Sequence, residues 1–279
     1  MRGINWSFER SSSGILVNLV IKSMNYLTKR AFQAIAAALI IGSGTGPVPV
    51  QAACSDEPAP KVNWIGCDKR GVDLSGLDLS GAILTRADLR EANFSNSRLS
   101  HADLNFSKIA KANFDGARMI SVRLVAVDGE GASFNKTILD DASLSRAKLK
   151  SASFTGARMR RVNFYEADLS RANLTDANLE GARLERAKII ESNFSNTNLK
   201  SASLSEADAE LASFKGATMD HAVLDKAHLR EANFTGADMT KASLRNATID
   251  DAVFEEAVLS DATWVQYKRC RSGSVGQCK

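Results

Sequence analysis

The stretch ADLREANFSNSRLSHADL, residues 87–104, decides the fold. Leu89, Phe94, Leu99 and Leu104 fall five apart, and the residue two before each is small: Ala87, Ala92, Ser97 and Ala102. Followed outward in both directions, the same beat runs over 72–266. Counted from Leu74, every fifth residue is Leu, Phe, Met or Ile, with only Gly129, Ala209 and Trp264 departing from the rule in thirty-nine positions. No regular helix or flat strand carries such a period. Five residues of helix turn the chain by about 500°, which scatters the apolar positions over all sides. On a strand, an odd period sends alternate repeats to opposite faces. The consistent solution is a chain that bends at every repeat. In each short extended segment the small and the large residue point inward together, and the remaining three face water and make the corner.

A longer period sets how many corners close a turn. Phe recurs at Phe94, Phe114, Phe134, Phe154, Phe194, Phe214, Phe234 and Phe254, spaced by twenty with Leu174 in the one gap. Four repeats therefore make a coil, and coils stacked at about 4.8 Å put these rings in one column, close enough to stack. A second column runs from Leu99 and Met119 to Leu259; a third is almost all leucine between Trp64 and Trp264, read as end plugs. The fourth holds Gly129 and Ala209, each expected to leave the interior short of side-chain volume. Gly116, Gly156, Gly216 and Gly236, two after a column Phe, mark corners that need positive φ, and Asn96 and Asn196 tolerate it at equivalent places.

The quoted repeats, together with ADLSRANLTDANLEGARL at 167–184, resemble the pentapeptide-repeat family, whose pattern is A(D/N)Lxx, over about seven tenths of the chain without an insertion. The resemblance implies an all-β fold, a right-handed quadrilateral β-helix of about ten coils with four repeats each. Some members of that family mimic duplex DNA and bind DNA gyrase, so a gyrase-binding DNA mimic is the alternative function that the resemblance carries.

Outside the repeat, the chain divides into 1–23, an extension ahead of a true start at Met24; 24–52, an export signal; 53–71, a linker and N-terminal cap; and 267–279, a C-terminal tail and cap. The signal rests on Lys29 and Arg30, the apolar run 31–42 and a small-residue cleavage site after Ala52. That run is too short to span a bilayer, and an uncleaved anchor is the alternative. Four cysteines form two local pairs, Cys54 with Cys67 and Cys270 with Cys278. A rod holds its ends too far apart for any other intramolecular pairing, so the expected bonds staple the two ends in an oxidising compartment. Neither pair has zinc-ligand spacing; a lipid on Cys54 is a further alternative.

The formal charge of +4 comes from the first thirty residues; from Ala53 onward thirty-one basic side chains meet thirty-one acidic ones. That balance argues against a nucleic-acid partner. The repeat region 72–266 nets −4, with twenty-four basic and twenty-eight acidic residues, which is weak for a DNA mimic. Outward positions stack as well. Asp88, Lys108, Asp128, Lys148, Asp168, Lys188, Asp208 and His228 form one column, and Arg146, Glu166, Arg186, Glu206 and Lys226 another, both read as ladders of ion pairs. A basic belt, Arg146, Lys148, Lys150, Arg158, Arg160 and Arg161, is the candidate partner surface. Outward aromatics are few, Phe106 and Tyr165 being the clearest.

No catalytic constellation is present in the sequence. His101, His221 and His228 are far apart in the coil arithmetic, and a filled rod offers no concavity in which a triad could converge. No cofactor or metal is expected. The reading is an exported, non-enzymatic solenoid, monomeric or an end-to-end dimer, that serves as a protein-interaction or envelope structural element with an unknown protein partner.

Overall fold

The computed structural model describes residues 54–279; the expected export signal at 24–52 and the expected extension before it lie outside the described residues. Within 54–279 the chain winds into a four-sided column. Isolated parallel bridges join each residue of the series Asn63, Asp68, Asp73 and Asp78 to the residue twenty later, and the ladder continues without a slip to Ser243↔Thr263. The four sides are called here the first face (interior Leu74, Phe94 and on to Phe254), the second (Leu79, Leu99 to Leu259), the third (Leu84, Leu104 to Trp264) and the fourth (Leu89, Ile109, Gly129 onward). The first face lies opposite the third, and the second opposite the fourth.

The interior is as the spacing requires. Small and large positions of one repeat, such as Ala82 with Leu84 and Ala92 with Phe94, are fully buried. Phe94, Phe114, Phe134 and Phe154 stack with ring centroids 4.8–4.9 Å apart and interplanar angles of 3–6°. Phe154 also meets the third-face Phe164 edge-on at 5.9 Å, across the interior. Where a hydroxyl replaces Ala at the small position, it is buried and satisfied locally: Ser97, Ser107 and Thr137 each donate to the carbonyl three residues earlier at 2.7 Å. This removes the cost of a buried unpaired polar group.

The corners are more uniform than the glycines predict. From Lys61 to Gln266 every fifth residue has φ near +60°, and most of these residues are not glycine. Nearly every corner is a hydrogen-bonded four-residue turn, as in Ala82 N–H to the Leu79 carbonyl (3.0 Å) and Ala87 N–H to the Leu84 carbonyl (3.0 Å). The positive-φ residue stands third, the type II signature. Its own N–H bonds to the next coil, as from Arg86 to the Asn105 carbonyl (3.0 Å). The repeat imposes the left-handed conformation on whatever residue falls there, because both neighbouring amides are already committed.

The expected gap at Gly129 is closed. A Cβ there would stand 3.0 Å from the side chains of both Ile109 and Leu149, the column neighbours above and below, which have moved into the space. The reason is packing: two branched aliphatic chains stacked on either side of a missing one lean together rather than leave a void.

Both ends carry disulfides, Cys54–Cys67 and Cys270–Cys278. At the N-terminal end Trp64 is fully buried, and Lys69, which breaks the apolar rule, lays its ammonium 4.0 Å over the Trp64 ring. At the C-terminal end a short 3-10 turn, Val265–Tyr267, reverses the chain. The tail then returns antiparallel, Arg269 against Thr263 and Val275 against Val258. Trp264 is only half-buried, edge-on to Phe254 at 4.9 Å. The tail covers the second and third faces; Thr248 and Val253, on the other two, pair only with the coil before them.

Candidate interaction surface

A filled column leaves function to its outer faces, and these differ. On the first face the outward columns from Asn93 to Thr235 are Asn, Ser and Thr apart from Asp115 and Lys215. They bond to one another up the stack: Ser153 Oγ to Asn135 Oδ1 (2.6 Å), Thr155 N–H to the same oxygen (3.0 Å), and Asn173 Nδ2 to Thr155 Oγ1 (3.1 Å).

Charge is concentrated on the other three faces, and its arrangement corrects the ladder reading. Asp88, Lys108, Asp128 and Lys148 are bridged in register on the fourth face, yet among the described residues none of these neighbours closes an ion pair within 4.0 Å. The corner column forms separate pairs instead of a ladder: Arg146–Glu166 and Arg186–Glu206, each at 2.8 Å. Arginine supplies nearly every cation in these pairs, because its planar fork reaches a carboxylate one coil away with two donors and a lysine ammonium does not.

The six belt residues divide into two groups. Arg146, Lys148 and Lys150 line one open depression of about 380 Å³ on the fourth face and its edge with the third, whereas Arg158 and Arg160 stand on the second face, opposite it, with Arg161 at that face's corner. Arg158 and Arg160 both hold Asp140, at 2.8 and 2.9 Å, and Arg161 holds Asp141 at 2.7 Å. The Asp140 side chain is 6% exposed. Its burial works to raise the carboxyl, but hydrogen bonds from the Arg160 side chain and backbone and the charge of Arg158 outweigh it and hold the group below the ordinary aspartate value. Its contribution to stability is therefore complete above the unfolded aspartate pKa and is lost as pH falls through the lowered one.

The third face gathers what the repeat does not require. Ile65, Ile83 and Phe106 are exposed there, with Val125 and Tyr165 half-exposed. From Asn63 to Arg186 every basic residue on this face and its corner is arginine: Arg86, Arg123, Arg146, Arg183 and Arg186. A shallow depression of about 290 Å³ lies between Val125, Ser145, Arg146, Asn163, Tyr165 and Arg183. Tyr165 Oη accepts from Arg186 at 3.3 Å. Sequence reading found Phe106 and Tyr165 as outward aromatics but not the face they share with the arginines, which appears only once the twenty-residue register is laid out.

The histidines are dispersed: His221 Nδ1 meets Asp220 at 2.7 Å, His228 stands on the fourth face, and His101 lies several coils away. Among the described residues no group of His, Cys, Asp and Glu could hold a metal ion, and no helix is long and apolar enough to cross a membrane.

Family models agree with the architecture. One described as a pentapeptide repeat region matches residues 147–224, and one described as pentapeptide repeats (8 copies) matches 67–105, 97–128, 210–246 and 237–263. No curated protein matches. Similar solved structures include HetL, a pentapeptide repeat protein involved in heterocyst differentiation regulation from the cyanobacterium Nostoc sp. strain PCC 7120, at 23% identity and a TM-score of 0.48, covering 75% of this chain and 94% of that one. QnrB1, a plasmid-mediated fluoroquinolone resistance protein, is similar at 18% identity and a TM-score of 0.31, over 66% of this chain and 87% of its own. A pentapeptide repeat protein from the Arabidopsis thaliana thylakoid lumen is similar at 19% identity and a TM-score of 0.21, covering 64% and 72%. With its matched segments together spanning more than half of the sequence and its coils closing every four repeats, the chain belongs to the pentapeptide-repeat family and folds as a right-handed quadrilateral β-helix.

Proposed function

We propose that this protein is an exported, non-enzymatic solenoid that presents its outer faces to a protein partner in an oxidising compartment. The observation that carries the reading is the combination of an interior lined throughout by buried apolar side chains with a disulfide at each end. The first leaves no cleft for chemistry, and the second suits a chain that matures outside a reducing cytosol. The export signal at 24–52 and cleavage after Ala52 are part of this proposal. The test is N-terminal sequencing of the native protein, together with disulfide mapping under non-reducing conditions. A mature chain beginning at Ala53 with both local pairs oxidised is expected; an intact Met1 with reduced cysteines would defeat the export reading.

The belt from Arg146 to Arg161 enters the proposal at Arg146, the one member on the edge of the third face. The alternative, a gyrase-binding DNA mimic, calls for a strongly acidic rod, and the net charge of −4 over 72–266 does not supply one. A gyrase supercoiling assay with the oxidised chain separates the two: no effect on supercoiling is expected, and inhibition or protection would favour the mimic.

A further inference from the structure

Of all the positive-φ corners between Lys61 and Gln266, only three hold an apolar residue other than glycine: Phe106, Ala126 and Leu211. Phe106 and Ala126 are consecutive in one column, at the edge of the third face. Phe106 is disfavoured twice over. Its φ of +60° is a conformation that L-residues with a bulky Cβ substituent avoid, and its ring is 55% exposed. Neither feature serves the coil, since most other corners close with Gly, a charged residue or a short polar one. The Arg86 guanidinium lies over the ring at 5.9 Å, and among the described residues Arg86 has no carboxylate within ion-pair distance. An exposed aromatic in a strained position beside an unpaired arginine, one coil below the Val125 edge of a depression that runs up the same face to Tyr165, has the composition of an interface centre, where aromatics and arginine are enriched and lysine is depleted.

We infer that the third face from Ile83 to Tyr165 docks a protein segment that presents an aromatic or aliphatic anchor flanked by carboxylates. The anchor packs on Phe106, the segment continues up the face into the depression that Val125 and Tyr165 border, and a carboxylate takes Arg86. The inference rests on the interaction reading above and names its surface and the chemistry of its partner. Charge selects this occupant. Over the proposed stretch and its corner this face carries Arg86, Arg123 and Arg146 against Asp103 and Glu166, and among the described residues Arg86 alone of these arginines lacks an ion pair, so a partner that supplies a carboxylate at Arg86 is complementary. A second copy offering the same face would bring a matching arginine surplus. A nucleic acid would find the arginines engaged: Arg123 with Asp103 and Arg146 with Glu166, both at 2.8 Å, and Arg183 with Glu185 at 3.5 Å.

The test uses the full oxidised chain and a random peptide display library, with counter-selection on Phe106→Asn. Asparagine suits positive φ, so this variant keeps the corner, and its melting temperature should equal or exceed that of the parent. Enriched peptides should contain Phe, Leu or a similar anchor between Asp and Glu. As synthetic peptides they should bind about tenfold more weakly or worse to Phe106→Asn and to Arg86→Ala, and unchanged to Leu211→Asn, which alters the strained apolar corner away from this face. No enrichment, peptides without acidic flanks, binding indifferent to Phe106→Asn, or tighter binding of a fluorescent single-stranded oligonucleotide would each overturn the inference. Peptides that map to another face would end this assignment and leave the interaction reading standing. A cytosolic, reduced native protein would end the export reading and leave the peptide result standing.

Discussion

On the first face, Phe94, Phe114, Phe134 and Phe154 stack almost parallel inside, and outside them Asn, Ser and Thr bond from coil to coil at 2.6–3.1 Å. On the fourth face the interior column passes from Ile109 through Gly129 to Leu149 with its members leaning together, and outside it Asp and Lys alternate in register without closing ion pairs with one another within 4.0 Å. The backbone of the two faces is the same. The difference lies in what each side chain can reach across a coil spacing near 4.9 Å. A short amide or hydroxyl meets its neighbour directly, whereas a lysine ammonium, held out in water on a flexible stem, gains little by stopping beside a carboxylate. Cohesion along the column therefore comes from interior stacking and short polar bonds, and the alternating charges contribute chiefly solubility and register.

The sharpest way to break this contrast is Phe154→Ala, which removes a ring stacked below and edge-packed on Phe164. A loss of about 3–5 kcal/mol in urea unfolding is expected. Gly129→Leu comes next. An open gap would make this change stabilising, but the contacts with Ile109 and Leu149 make it a case of overpacking, with a loss of about 1–3 kcal/mol by the same measurement. On the outer side of the first face, Asn135→Ala deprives Ser153 and the Thr155 amide of their acceptor and should cost about 1–3 kcal/mol. Its fourth-face counterpart, Lys148→Ala, should shift stability by less than about 0.5 kcal/mol. Thermal melts of this variant and its parent at low and high salt should run together. A large, salt-sensitive effect of Lys148→Ala would restore the charge ladder as a cohesive element.

The fold was legible because two periods, five and twenty, appear in residue types that cannot be exchanged without loss: Leu and Phe inside, Ala beside them. The parallel bridges and the phenyl stack follow from those periods. The uniform positive φ at corners was not legible, because Lys61, Arg86 and Glu91 carry no local mark of it; the conformation is imposed by amides bonded to the next coil. The fate of Gly129 was hidden for another reason. Its sequence neighbours say nothing of Ile109 and Leu149, twenty residues away, whose rotamers close the space. The interaction surface was half visible: Phe106 and Tyr165 stood out as aromatics, but their common face with Arg86 and Arg146 depends on the register, and the strain at Phe106 depends on the corner.

The returning tail adds a consequence for growth. A parallel β-helix ends in strands that could accept another copy as its next coil, and unlimited head-to-tail addition would yield a filament. Here 267–279 places strands of the opposite direction on the second and third faces, through Val275 and Arg269. A newcomer aligned to continue the stack would find the wrong polarity on two of its four sides. The Cys270–Cys278 bond ties that segment into a closed loop, which holds the reversed strands against the last coil.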